Sequence, residues 1–438
     1  MFVDTGNLEA GLKSLPLFDR LIACCGDSAV YVVGGAVRDA LIGHRVRDVD
    51  LIFPEDPTAV AKSFAKAHGG HWFWLDEDRR QSRVVFEPDE VYPIFDFAPF
   101  RASSLDQDLF DRDFTINAIA LSLSADFTTT ALVDPVCGLA DLQQDLLRMV
   151  SRDAFANDPL RIVKGLRHAT ALHLHIEENT LDCMQAGSTE LCQVAPERVR
   201  QEIWQILASE EAARGLHLLS QSMVGNSLFG NDYSEKYCDL SEALVVVRNC
   251  WRKLSHDQPV IRGWLACAVE QGLNYETLLL WTLLLSRLDN DLPGRLAEAW
   301  LLSRKAKTYV KSLAGIDEET LKELANVSHG QRAFAWWART HDIEPRLLLL
   351  VLAAIDALNT RANRELVRDW VPVVDSLDIQ PPEELVDGHW LQDELGLPAG
   401  PEMSRALTRN PPALESISSI SRSVLNVAPF WSRRWRPR

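Results

Sequence analysis

The chain lacks the cysteine spacing that marks a zinc site. Its eight cysteines are one adjacent pair, Cys24-Cys25, and six scattered singles, with no C-x-x-C. It also lacks long apolar runs. The longest, Leu278–Leu285 and Leu347–Ile355, fall far short of a membrane helix, and Arg287 and Asp356 bound them closely. Met1–Leu15 holds acids and no apolar h-region, so no secretory signal is expected there. A cytoplasmic protein with reduced, mostly buried thiols is the expectation. There is no clean repeat and no low-complexity tract. Positive charge is short as well: the formal net charge is −17. A chain of that charge cannot attract a polyanion through a global positive field, and needs local basic patches or metal ions at any such site.

What is present is ordinary globular material. The 438 residues are 47% hydrophobic and 24% charged, enough for a sizeable core and long enough for about two to four units. The first third mixes short β-rich runs with helices. Ala29–Val33 and Val49–Phe53 read as strands, and Gln81–Phe86 and Tyr92–Phe97 as a further pair across the turn-like Glu87-Pro88-Asp89-Glu90. After about residue 140 helical periodicity dominates, as in DLQQDLLRMV, PLRIVKGLRHATAL and PERVRQEIWQILA. Pro381-Pro382 and Gly396–Pro401 punctuate the C-terminal part. A mixed α/β head followed by a long helical body is the simplest arrangement.

The informative stretch is Tyr31–Phe53, which reads strand, Gly34-Gly35, short helix Ala36–Ile42, Gly43 as helix stop, loop, strand. Two glycines at a strand-to-helix turn let a ligand approach the backbone, and the helix N-terminus offers free N–H groups to an anion such as phosphate. Arg38, in the first turn, adds a charged fork. Asp48 and Asp50, two apart on a strand, project to the same side. Paired carboxylates on an apolar strand are costly without a cation between them, and Mg²⁺ is the ion that binds carboxylates and phosphates together. Asp96, on the strand after Tyr92, is a candidate third carboxylate.

These residues resemble the signature of class II tRNA nucleotidyltransferases (CCA-adding enzymes) and bacterial poly(A) polymerases. Further blocks follow in that family's order. Asp111–Ala118, DRDFTINA, resembles the family's RRDFTINA. Asp134–Arg148 resembles the joint between head and neck. Asn157–Arg167, NDPLRIVKGLR, resembles the nucleotide-selecting helix, Pro196–Glu202 its supporting helix, and Asp387–Pro401 a tail block. The resemblance implies an α+β fold: a palm-like mixed-sheet head over 1–140, then all-α neck (141–210), body (211–330) and RNA-binding tail (331–438). It implies that Asp48 and Asp50 hold catalytic Mg²⁺, that Gly34, Gly35 and Arg38 hold the triphosphate, and that Arg112 and Asp113 contact ribose and phosphates. Asp158 and Arg161 would read the base, Asp158 also capping its helix ahead of Pro159. The implied activity is template-independent addition of C and/or A to the 3′ end of tRNA from CTP and/or ATP, with poly(A) addition as the alternative. The implied partners are tRNA and those nucleotides, with no DNA and no membrane.

Three features depart from the family pattern: Asn157 in place of Glu, Asp111 in place of Arg, and a short connection from Phe97 to Asp108 where CCA-adding members carry a longer loop. The nucleotide preference therefore stays open. Elsewhere, His256-Asp257 lacks the further ligands that a metal site needs. The basic stretches Arg304–Lys311 and Trp431–Arg438 are candidates for gripping RNA.

Overall fold

The computed structural model describes residues 5–88, 91–123, 132–314, 316, 344–359 and 370–375. The tail block Asp387–Pro401, the basic terminus Trp431–Arg438 and the punctuation at Pro381-Pro382 and Gly396–Pro401 lie outside them. By internal contacts the chain forms two units. One comprises 1–195 with 218–228, and the other 196–217 with 229–438. The 195/196 boundary falls inside the stretch 141–210 assigned from sequence to the neck. The architecture is α+β, a mixed sheet followed by helices, as the sequence implies.

The first unit is built on a seven-stranded sheet: β1 (Val30–Val33), β2 (Asp48–Phe53), β3 (His71–Asp76), β4 (Gln81–Val85), β5 (Ile94–Pro99), β6 (Ala120–Leu123) and β7 (Leu132–Val133), in the order β3-β4-β5-β2-β1-β6-β7. All neighbours are antiparallel except β2 and β5. Alternation sorts the side chains. Val32, Val49, Leu51, Phe95, Phe97 and Val84 are buried on one face, where Phe64 of helix Thr58–His68 meets Phe95 edge-on at 5.2 Å. The other face carries Val33, Ile52 and the aspartates, and is partly covered by Leu109, Ala118 and Ala120.

Helix Leu160–Ala171 belongs to the same unit. Gly165 lets it pack closely: a Cβ there would lie 2.6 Å from both Met184 Cε and Phe114 Cζ. The stretch likened to a joint, Asp134–Arg148, is pinned by its own side chains. Asp134 accepts from the backbone N–H groups of Gly138 and Leu139 at 2.7 and 2.9 Å. Buried Asp141 accepts from the Thr115 hydroxyl at 2.7 Å and from Arg148 Nε at 3.0 Å.

The second unit is helical around Trp204, Tyr233, Trp251 and Trp281, all buried. Its longest described helix, Tyr233–Asp257, packs on Pro345–Asn359, with Trp251 Nε1 donating to the Leu350 carbonyl at 2.9 Å. The two longest apolar runs fall inside helices Tyr275–Leu288 and Pro345–Asn359, and among the described residues no helix is long and apolar enough to cross a membrane. All eight cysteines are free thiols, but they are not mostly buried as expected: only Cys25 is buried, and Cys137, Cys192 and Cys238 are exposed. Burial pushes the Cys25 thiol up to about 12, and Cys24 beside it adds to that shift.

Candidate active site

The strand-turn-helix read from the sequence is present. β1 ends at Val33, and Gly34 turns the chain with φ 71° and ψ −136°, a conformation open in practice only to glycine. Helix Gly35–Leu41 follows, and Gly43, at φ 71°, ends the turn after it. Space adds a milder constraint at 34. A Cβ there would sit 3.3 Å from Arg112 Nη1 and 3.5 Å from Asp50 Oδ2.

Asp48 and Asp50 stand on β2 with their side chains on one face. Asp50 is in register with Asp96 on the parallel neighbour β5, and Asp96 with Arg83 on β4. Three carboxylates therefore crowd two adjacent strands. Arg83 takes both oxygens of Asp96, at 2.7 and 2.8 Å. Asp50 keeps a raised pKa, first from burial and then from the Asp96 charge, with Arg112 opposing. The Asp48 carboxyl is also raised, chiefly by desolvation, with Arg83 opposing. A site that disfavours its own negative charge in this way is one that a cation would relieve.

Facing these acids is a cavity of about 400 Å³ whose cationic lining includes Arg38, Arg45, Arg47, Arg112 and Arg167, with Gly34 and Gly35 at its floor. Arg38 is buried and held on both sides, its Nη1 donating to Asn117 Oδ1 at 2.6 Å and its Nε to Asp39 at 2.8 Å. Arg112 is anchored from behind by buried Asp108 at 3.1 Å, and burial lowers the pKa of its guanidinium. Its Nε is buried without a protein acceptor. Asp113 accepts from the Phe114 backbone at 2.8 Å and from Asn117 Nδ2 at 3.1 Å, which sets the Asn117 amide that holds Arg38. His168 lies under the cavity. Burial, then the charges of Arg167, Arg38 and Lys164, hold it well below the usual imidazole value, so it is neutral near pH 7.

Of the residues singled out in the sequence, Gly34, Gly35, Arg38, Asp48, Asp50, Arg112 and Asp113 all line this one cavity. Asp158 and Arg161 do not. The Asp158 carboxylate accepts from the Leu160 N–H at 3.2 Å, a capping contact, although the helix begins one residue later than expected and Pro159 is its cap. Arg161 points its guanidinium at backbone carbonyls, Nη2 to Asp111 at 2.9 Å and Nη1 to Arg112 and Ala154 at 3.4 Å each. It thus braces the segment that carries Arg112. Sequence reasoning missed Asn117, Arg45, Arg47, Arg167 and His168. Asn117 sits inside the DRDFTINA block and Arg47 beside Asp48, which were the available signals.

Pro196–Glu202 opens helix Pro196–Ala208 of the second unit, where Arg200 donates to the carbonyls of Trp300 and Leu301 at 2.6 Å and lies 5.0 Å over the Trp204 ring. His256 and Asp257 end helix Tyr233–Asp257, and no metal-holding cluster of three or more His, Cys, Asp or Glu occurs among the described residues. Arg304–Lys311 lies on helix Arg304–Ala314, with Arg304, Lys307 and Lys311 lining a groove of about 480 Å³.

Paired carboxylates facing a cationic cavity at a glycine turn define the class, an α+β nucleotidyltransferase head. Residues 30–148 match the family described as the poly A polymerase head domain, and residues 173–229 that described as a probable RNA and SrmB-binding site of polymerase A. Over residues 30–148 the chain is thus similar to the head of poly(A) polymerases, and the curated relatives it resembles are CC-, A- and CCA-adding enzymes. It is 37% identical over 218 residues to a CC-adding tRNA nucleotidyltransferase of Geobacter sulfurreducens, covering 50% of this chain and 49% of that protein. It is 42% identical over 190 residues to an A-adding tRNA nucleotidyltransferase of Deinococcus radiodurans, covering 42% and 41%. The match thus spans about half the length or less of these curated relatives. A longer, weaker match, 25% identical over 422 residues and 90% of each chain, is to a CCA-adding enzyme of Streptococcus thermophilus. The fold is that of a solved CCA-adding enzyme with ATP, at TM-score 0.65 and 19% identity, over 96% of this chain and 99% of that one.

Proposed function

We propose that the chain adds C and/or A to the 3′ end of tRNA, from CTP and/or ATP, with release of pyrophosphate. The observation that carries the reading is the convergence of Asp48 and Asp50 with buried, pre-anchored arginines on a single cavity at the Gly34-Gly35 turn. In this reading Gly34 lets the triphosphate approach the backbone, and Arg38 and Arg112 receive its charge. Both are already held by Asn117, Asp39 and Asp108, so little side-chain ordering remains when the ligand enters. The buried Arg112 Nε suits an acceptor brought by the ligand.

Asp48 and Asp50 fit Mg²⁺: their oxygens are hard ligands, and their own pKa values are raised by crowding and burial. When bound, Mg²⁺ would activate the attacking 3′ hydroxyl and stabilise the departing pyrophosphate. With two protein carboxylates as the donor set, phosphate oxygens and water would complete its shell. Base choice belongs to Asp158 and Arg161 in this proposal. Arg161 would exchange the carbonyls it now holds for the acceptor edge of the base. The cytoplasmic setting expected from the sequence is part of the same proposal.

The test supplies tRNA ending at the discriminator, at C or at CC, with CTP or ATP offered separately, and sequences the ends. Stepwise addition of C, A or both is expected. Long A-tails on an unstructured oligomer, with no preference for tRNA, would establish poly(A) addition instead, and absence of any incorporation would remove the reading.

A further inference from the structure

The acids at the cavity belong to a longer row. Phe73 on β3 is in register with Arg83, Arg83 with Asp96, and Asp96 with Asp50. Directly opposed residues share a face, so these four side chains run in line across the sheet, and Phe73 stands at its edge. Three strand spacings place it about 14 Å from Asp50. Phe73 is 43% exposed, and Leu75, in the bulge that follows, 47%. The alternate residues Trp72 and Trp74 turn to the other face, where Lys62 lies 4.3 and 5.9 Å from their rings. The packing of β3 is thus satisfied on one side, while a bare aromatic ring is displayed on the side of the acids.

Resting on the transferase reading, we infer that the outer face of β3 and β4 is a docking platform for the unpaired 3′ segment of the acceptor RNA, with a base stacked on Phe73. The row ends at Asp50, which lines the cavity, and 14 Å is a span of a few nucleotides behind a 3′ hydroxyl there. Charge agrees. Arg79 projects from the β3–β4 turn in an ion pair with exposed Asp76 at 3.6 Å, while Arg80 turns to the other face, 6.0 Å over the Trp74 ring. Such a pair exchanges readily for phosphate. Aromatic rings beside exposed cations are how single strands are held without sequence readout. A second copy of the chain is the poorer occupant, because edge-to-edge pairing needs a regular ladder and a bulge between Trp74 and Asp76 interrupts this one.

The test compares the full chain with Phe73→Ala and Phe73→Trp. The probe is a fluorescein-labelled acceptor-stem hairpin ending in unpaired C-C, read by anisotropy, alongside CTP affinity, melting temperature, sedimentation and extension of the same hairpin. Phe73→Ala should weaken hairpin binding about 5- to 100-fold, with CTP affinity and melting temperature unchanged, and Phe73→Trp should restore it. Equal binding by wild type and Phe73→Ala overturns the platform even where wild type extends the hairpin. Hairpin binding that depends on Phe73 in a wild type that extends no RNA removes the transferase reading and keeps the platform. Wild-type self-association lost in Phe73→Ala, with RNA binding intact, gives the face to a second copy and overturns the proposal. Absence of RNA binding by the wild type overturns both.

Discussion

Replacing Asp50 with Asn should stabilise the unliganded protein while abolishing transfer. Asp50 is buried in line with Asp96, and two unit charges about 5 Å apart interact by about 3 kcal/mol at an effective dielectric of 20. Arg83, on both oxygens of Asp96, and Arg112, near Asp50, cancel much of that. A net gain of about 1 kcal/mol is left for Asp50→Asn, or about 2–4 °C in a unit of this size. The dependence on pH has a fixed sign. The folded pKa of Asp50 lies above its unfolded value, so folding is favoured by the bound proton. The wild type therefore loses this stability as pH rises from the ordinary carboxylate value through the raised folded one. Asp50→Asn does not titrate, so its advantage should be small near pH 4 and full at pH 7.5. The assay is thermal melting in EDTA across that range, repeated with Mg²⁺, which should raise the wild-type melting temperature and leave the variant unmoved. An advantage that is absent at pH 7.5, or constant with pH, would refute the charge-crowding account.

Gly34→Ala combines backbone strain with contacts to Arg112 and Asp50, and should lower kcat/KM for the nucleotide at least about 100-fold in steady-state assays while the protein still melts cooperatively. Arg161→Ala should reduce discrimination between CTP and ATP by about 1–3 kcal/mol, measured as the ratio of the two kcat/KM values; equal slowing of both would leave Arg161 only its brace on Asp111 and Arg112. Asp141→Ala leaves the Thr115 hydroxyl and Arg148 without their shared acceptor and should cost about 2–3 kcal/mol in urea unfolding. Neutralising Arg304, Lys305, Lys307 and Lys311 together should weaken tRNA binding and flatten its salt dependence, while turnover on a saturating short acceptor changes little.

The glycine turn and the aspartate strand were legible because each needs special chemistry at fixed spacing: positive φ at Gly34, and alternation that aligns Asp48 with Asp50. β3 was not. Its sequence, HWFWLD, is apolar on both faces, so the alternation that marks a half-buried strand is missing. Arg167 was missed for a helical reason. Six residues beyond Arg161, it points about a third of a turn away, so a search along the Asp158–Arg161 face does not meet it. Nor does spacing reveal that Arg161 holds carbonyls 49 and 50 residues upstream, since that contact depends on how the helix docks.

The parallel pairing of β2 with β5 has a consequence for assembly. Helix Thr58–His68 and the β3–β4 hairpin lie between β2 and β5 in the chain, so the pairing of these two strands closes a long loop. Asp50 and Asp96, 46 residues apart, meet only at that closure, a less local pairing than any other in the sheet except β1 with β6. Local contacts form the hairpin early. The step that brings the acids together is expected to follow and to run against their repulsion. Magnesium and nucleotide, by relieving that repulsion, should therefore act chiefly on the unfolding rate, holding β2 and β5 together once they have met.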